Sequence, residues 1–244
     1  MPLLGRFQSV ITQRNSTANL GSRSRALVVS LARRLGYQIR RSREARRIWI
    51  DVGAHEGQNT FERAQQDSSI LVFAFEPDWN LARRTMGKLE NFVVLPIAVA
   101  DFDGFANFHL NVADETSSLL PFSVEALQSP EWKNVVGLAV RSVTTVPTIR
   151  LDTFLDRMEI AAVEYLKVDT QGFDFRVIQS AGARLKDIQS VTLEVDITPI
   201  RCYEGSAEKG EIISYMVSHG FELAGATAQT DGKEENLTFN RHLR

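Results

Sequence analysis

Cysteine is all but missing from this chain: Cys202 stands alone among 244 residues. One thiol excludes an internal disulfide and a thiolate metal cluster, and it suits a reducing compartment. No apolar run approaches the roughly 18 residues needed to span a bilayer, so a cytoplasmic location is expected. The Gly-x-Gly-x-x-Gly spacing that makes room for a dinucleotide pyrophosphate is absent after the first strand-like run. Also absent is an Asn/Asp-Pro-Pro-aromatic segment to hold a flipped base, which argues against an enzyme acting on bases of nucleic acid. No internal repeat is present. With 43% hydrophobic and 24% charged residues, the composition is that of a globular protein.

The first 47 residues lack lysine and hold one acid, Glu44, against eleven arginines. Their local charge near +10 leaves the remainder near −12, since the whole sums to −2. This divides the chain into a basic arm, 1–47, and a body, 48–244. Residues 25–40 read as a basic amphipathic helix broken at Gly36. Three accounts of it compete: a helix packed on the body, a surface for anionic lipid or an acidic partner, and an organellar targeting peptide. Only Phe7 and Tyr37 could stack on bases within this block, so nucleic acid is not an expected partner. A homo-oligomer is compatible with the composition.

Ile48, Trp49, Ile50 and Val52 form a β-rich apolar run of the kind buried on both faces of a sheet. It stops at Gly53-Ala54-His55-Glu56-Gly57 and passes into a helix over 58–67. Strand, glycine turn and helix make a nucleotide site, because glycine lets backbone approach a ligand and a helix N-terminus offers unpaired N–H groups. A compact ligand with a charged amino-acid end, S-adenosylmethionine, suits a turn headed by Asp51. The next run, 70–76, ends in Glu76-Pro77, where a carboxylate can accept from both hydroxyls of a ribose. Asp78 is placed to cap the following helix.

Strands at 48–52, 70–76 and 92–97 alternate with helices at 58–67 and 78–90, a pattern of parallel sheet covered on both faces. Residues 95–110 read as a hairpin turning at Phe102-Asp103-Gly104, with Asp101 placed to receive an adenine amino group. Residues 111–142 read as an irregular, substrate-facing stretch. Val143–Ile149 is a short strand that Pro147 confines to an edge or strand end. A short helix then begins at Leu151. A strand over 163–169 ends in Asp169 and leads through Thr170-Gln171-Gly172 into a helix over 173–183. A strand over 190–195, a helix over 207–219 and strands over 221–226 and 236–240 close the chain.

Four pieces taken in order resemble the FkbM family of S-adenosylmethionine-dependent methyltransferases. They are Ile50-Asp51-Val52-Gly53-Ala54-His55-Glu56-Gly57, Val72-Phe73-Ala74-Phe75-Glu76-Pro77, Ala98-Val99-Ala100-Asp101-Phe102-Asp103-Gly104 and Leu166-Lys167-Val168-Asp169-Thr170-Gln171-Gly172. Residues 146–155 also look like the family's lead-in to the fourth. The resemblance covers about 49–195 and implies a Rossmann-like α/β fold: a doubly wound, mainly parallel seven-stranded sheet with an antiparallel last strand. It implies methyl transfer, usually to a hydroxyl oxygen. The amino-acid end of the cofactor falls at Asp51, Gly53, Ala54, His55 and Gly57, the ribose at Glu76 and Pro77, and the adenine near Asp101. Asp169 falls beside the sulfonium and the acceptor. Two residues depart from the pattern, His55 where Asn is frequent and Gln171 where Glu is frequent.

Methyl transfer to an alcohol needs in-line placement and a group to take the proton. Asp169 is the first candidate base, with His55 and His109 next; Gln171, a neutral amide, cannot serve. Oxygen ligands for magnesium could come from Asp169 with Glu194 or Asp196, but no metal is expected. The expected acceptor is a hydroxyl on a small molecule, sugar or glycolipid. The alternative is a non-catalytic protein that keeps the nucleotide pocket and docks through its basic arm.

Overall fold

The computed structural model describes residues 47–133 and 138–241, so the arm before Arg47, with the helix expected over 25–40, lies outside the described residues. The body is built on β1 (Arg47–Val52), β2 (Ile70–Phe75) and β3 (Phe92–Leu95), followed by β4 (Ala98–Val99), β5 (Gly104–Asn111) and β6 (Val140–Ile149). The later strands are β7 (Val163–Val168), β8 (Ile188–Asp196), β9 (Phe221–Gln229) and β10 (Glu234–Arg241). Seven of them form one sheet in the order β3-β2-β1-β7-β8-β10-β9. The pairings β1–β2, β2–β3, β1–β7 and β7–β8 are parallel, while β10 runs antiparallel to both of its neighbours. This is the Rossmann-like sheet with a reversed last strand that the motif order implied.

The alternation of β2 explains why both sheet faces are covered. All six of its residues are buried. Leu71, Phe73 and Phe75 enter one apolar cluster, whereas Ile70, Val72 and Ala74 enter another. A period of two thus serves two cores at once. The larger holds Phe154 edge-on to both Phe73 and Phe75, with centroids 5.3 and 4.9 Å apart. Phe154 belongs to α5 (Leu151–Arg157). The smaller cluster lies under α1 (Gln58–Gln66) and α2 (Trp79–Thr85), through Ala64 and Ala82. The second of these helices is shorter than the 78–90 expected. Asp78 caps it, accepting from the Asn80 N–H at 2.8 Å. Met86, at φ −55 and ψ 121, takes the chain out of helical geometry directly after Thr85, and Gly87 follows at φ +77.

The hairpin expected over 95–110 is paired differently. β5 lies antiparallel to β6, and β4 joins the other side of β6, giving a separate three-stranded sheet β4-β6-β5. β6 is ten residues long, but its first six are exposed, so it lacks the apolar run that marks a buried strand. Pro147 pairs with Phe105 on one side only, because β4 reaches just Thr148 and Ile149. The segment expected to be irregular carries a 3-10 turn at Asp114–Thr116, α3 (Val124–Gln128) and α4 (Pro130–Lys133). It is anchored, since the buried Trp132 donates its indole N–H to the Ile200 carbonyl at 2.8 Å. No helix among the described residues is long and apolar enough to cross a membrane.

Candidate active site at the carboxyl edge of the sheet

The chain runs outward from β1 to β2 and β3, then returns to place β7 on the other side of β1. That reversal opens a crevice at the carboxyl ends of β1 and β7, where open α/β sheets bind ligands. A cavity of about 320 Å³ lies there. Its walls include Asp51, Gly53, Ala54 and His55 from the first turn, Glu76 and Pro77 from the second strand tip, and Asp169 from the end of β7.

The first turn is shaped by close approach. Gly53 has φ +75, and a β-carbon on it would stand 1.8 Å from the Asp169 carbonyl oxygen. Gly57, at φ +78, is set against Phe92 and leads into α1 without a side-chain cap. The first N–H groups of that helix therefore lack a side-chain acceptor at the cap position. Asp51 is 2% exposed and accepts from the Thr60 hydroxyl through Oδ2. Among the described residues its Oδ1 has no hydrogen-bond partner, and Lys167 Nζ stands 3.6 Å away. A buried carboxylate oxygen left open on a cavity wall suits an ammonium group from a ligand.

Glu76 is buried at the β2 tip, with Oε2 accepting from the His55 N–H at 2.8 Å and Oε1 from the Asp78 N–H at 2.7 Å. Each oxygen keeps one lone pair for a ligand hydroxyl. Burial pushes this carboxyl up to about 7, against the two N–H donors that favour its ionised form.

Asp169 continues β7, its N–H donating to the Val52 carbonyl at 2.9 Å. Its two oxygens are held separately: Oδ2 accepts from Lys167 Nζ and Oδ1 from Gln171 Nε2, each at 3.1 Å. Burial draws the Lys167 ammonium downward, but the carboxylates of Asp51 and Asp169 outweigh it and hold it above the ordinary lysine range. The N–H groups of the following loop are satisfied by another acid. Asp174, at the start of α6 (Asp174–Ser180), accepts from Thr170 N and Gly172 N, both at 3.1 Å. Burial first, then the Asp169 charge, push Asp174 up to about 7.

Beyond Asp169 the wall is acidic. Glu194 of β8 and Glu234 of β10 face the same cavity, and Glu234 accepts from the Thr230 hydroxyl. Burial, then the charges of Asp169, Glu234 and Asp174, push Glu194 up to about 10 against the pull of Lys167. The Gln171 amide stands between Asp169 and Glu194, donating to Glu194 Oε2 at 2.8 Å.

Some expected residues fall elsewhere. Asp101 is exposed and off the cavity wall, where its main-chain carbonyl accepts from Arg150 at 2.7 Å. Ala98 and Val99, just before it, line the cavity instead. His109, on β5, pairs with Val143 of β6 and bridges to Ser118, away from the cavity wall. His55 lines the cavity, but its Nε2 is paired with Asp114 at 3.1 Å. Among the described residues, the donor atoms of His55, Asp114 and Glu115 lie within 4.8 Å of one another. Lys167, Glu234 and Tyr203 were not foreseen as parts of the site; Lys167 alone carried a local signal, a lysine two residues before the Asp169 strand tip.

Comparison with known proteins bears on this geometry. The family described as the methyltransferase FkbM domain matches residues 51–223. The 2-O-methyltransferase NoeI of Sinorhizobium fredii (strain NBRC 101917 / NGR234) is 24% identical over 185 residues, covering 72% of each chain. Two solved structures are similar at lower identity. M. capricolum TrmK in complex with S-adenosylhomocysteine has a TM-score of 0.44 and 9% identity over 86% of this chain and 71% of that one. Magnesium protoporphyrin IX methyltransferase from Synechocystis PCC 6803 with bound cofactor has a TM-score of 0.44 and 10% identity, over 98% and 90%.

Proposed function

Because this chain belongs to the FkbM methyltransferase family and uses S-adenosylmethionine, we propose that it methylates a hydroxyl oxygen of a small molecule, sugar or glycolipid. The observation that carries the reading is Asp169, a carboxylate on the cavity wall with both oxygens held, directly behind the Gly53 turn. Similarity to a 2-O-methyltransferase supports oxygen as the acceptor atom.

The residues present fit the cofactor. The open oxygen of Asp51 would receive its ammonium group, the N-terminus of α1 its carboxylate, and the free lone pairs of Glu76 its ribose hydroxyls. Bound there, the cofactor supplies a methyl group already activated by its sulfonium. The protein then has to orient an acceptor and accept its proton. Asp169 is the candidate base: Lys167 and Gln171 fix the plane of its carboxylate, so little reorganisation accompanies proton transfer. His55 is the weaker candidate because its Nε2 is engaged by Asp114, and His109 because it lies off the cavity wall.

The test is methyl uptake from radiolabelled S-adenosylmethionine onto panels of sugar, polyketide, peptide and lipid alcohols. Label recovered as a base-stable ether supports the reading. Label on nitrogen or carbon overturns the acceptor assignment. Tight cofactor binding with no uptake on any class would favour a pocket kept for binding alone.

A further inference from the structure

Gln171 engages both polar atoms of its side chain and its main-chain carbonyl. Its backbone sits at φ +57, a left-handed conformation that a non-glycine residue adopts at a cost. Its main-chain carbonyl accepts from the Ser118 hydroxyl at 2.7 Å. Its Nε2 donates to Asp169 at 3.1 Å and Glu194 at 2.8 Å, and its Oε1 faces the Tyr203 hydroxyl at 2.8 Å. Burial holds Tyr203 well above the ordinary tyrosine range, so it remains a donor. The hydroxyl lies 2.8 Å from the Thr116 carbonyl as well, so its one proton is shared between the two acceptors. The Asp169 carboxylate sets the amide's direction, because a flipped amide would turn its oxygen toward that charge. Tyr203 is seated against Gly172, where a β-carbon would stand 2.7 Å from Tyr203 Cβ. It also packs on Phe122, with ring centroids 5.2 Å apart.

We infer that Gln171 is a positioning residue that fixes the Asp169 carboxylate and joins it to Glu194, so that the two acids share one negative charge with Asp169 as the ionised member. The inference rests on the reading of Asp169 as the base. One neutral amide with two N–H bonds is the only uncharged side chain that can donate to two acids at once while accepting from a phenol. Lys167 settles which acid is ionised, since it contacts Asp169 at 3.1 Å and Asp51 at 3.6 Å but makes no such contact with Glu194. The other groups facing the pair are Asp174 on α6, Glu234 on β10, and Cys202 and Tyr203 in the segment after β8. All are neutral or acidic, so they disfavour a second negative charge at Glu194. The proton there leaves Glu194 as a donor at the acceptor end of the cavity.

The test needs no acceptor. Carboxyl titration of the full chain, labelled with carbon-13 in Asp and Glu side chains, reads the two acids directly. In the parent protein Glu194, pushed up by burial and by the acids around it, should keep its proton after Asp169 has lost its own. Gln171→Met removes both N–H donors, and the Asp169 midpoint should rise by about one unit, the scale of a lost hydrogen bond to a charged group. Tyr203→Phe, a milder change that removes a partner of the amide oxygen, should move it in the same direction by less. Retained binding of S-adenosylhomocysteine would show that either variant is folded. An unmoved Asp169 midpoint in a folded variant would overturn the inference, as would a parent in which Glu194 ionises before Asp169. Failure of every alcohol in the methyl-uptake panels would defeat the base assignment while leaving these midpoints as measured.

Discussion

The main-chain carbonyl of Asp169 occupies the space where Gly53 would carry a side chain, 1.8 Å from the position of an added β-carbon. The turn that would receive the cofactor and the strand tip that would act on the acceptor are therefore in direct backbone contact. Gly53→Ala should break both. It adds a left-handed alanine to an overpacked contact, so destabilisation of roughly 2–4 kcal/mol is expected. Denaturant unfolding checks the magnitude. A variant as stable as the parent, with unchanged cofactor affinity, would show that the contact is looser than described.

Glu76 is expected to report on cofactor binding through pH. Its carboxyl is held up to about 7 by burial. Ribose hydroxyls donate best to the ionised form, so affinity for S-adenosylhomocysteine should rise as pH increases through about 7 and level off above it. Glu76→Ala should weaken binding by about 1.5–3 kcal/mol at high pH and abolish the step. Calorimetry from pH 5.5 to 8.5 measures both. An unchanged step in the variant would assign it to another group.

What the sequence made legible follows the physics of short-range pattern. β1 and β2 are continuous apolar runs, and the turns after them are set by Gly53 and Pro77, so strands, order and the first half of the site were readable. β6 was read from Val143 instead of Val140 because the exposed residues 140–142 carry Arg141 and Ser142 and add no buried position to the pattern. Asp101 looked like an adenine contact from its place after the third strand. Yet the chain there turns outward to β5, and Arg150 draws the Asp101 carbonyl with it. The acidic wall was harder still. Glu194 meets Glu234 only because β10 pairs with β8, and Tyr203 reaches Gln171 across 32 positions of sequence. Side chains converging from separate strands leave no motif.

Stability should fall as pH rises from weakly acidic to alkaline. Glu76 and Asp174 are each pushed up to about 7 in the folded chain, from ordinary values of 4.5 and 3.8. Over that interval the folded form binds protons that the unfolded chain has released. Their contribution is complete below about pH 4 and lost by the time pH passes about 7. Glu194, pushed up to about 10, extends the loss further. The cofactor-free protein should therefore melt at a higher temperature near pH 6 than near pH 8.5. The opposite order would mean that these acids are ionised and well paired in the folded state.

The basic arm should be separable from the body. Arg47 opens β1 and is already tied to it, pairing with Asp67 and with Glu164 at 3.2 Å. We propose that a chain beginning at Arg46 folds and binds S-adenosylhomocysteine like the full-length protein, while binding to anionic vesicles is lost. An insoluble shortened chain would mean instead that part of 1–45 completes the core.

Asp169→Asn tests the proposed chemistry most sharply, because the structure removes the competing explanation. An acid just before a helix often serves as its cap, and losing a cap costs about 1 kcal/mol. Here Asp174 takes the N–H groups of Thr170 and Gly172, whereas both Asp169 oxygens point to Lys167 and Gln171. Asn at 169 can still accept from Lys167, but its amide must turn an N–H toward the Gln171 donor, and it cannot take a proton. Melting and cofactor affinity should stay near those of the parent, while turnover on the acceptor should fall by roughly 10²-fold or more, the usual scale for a general base. Asp174→Ala should behave in reverse, losing about 1–2 kcal/mol of stability with the loop's N–H partners. Parent-like turnover in Asp169→Asn would rule out Asp169 as the base and leave His55 as the next group on the cavity wall to test.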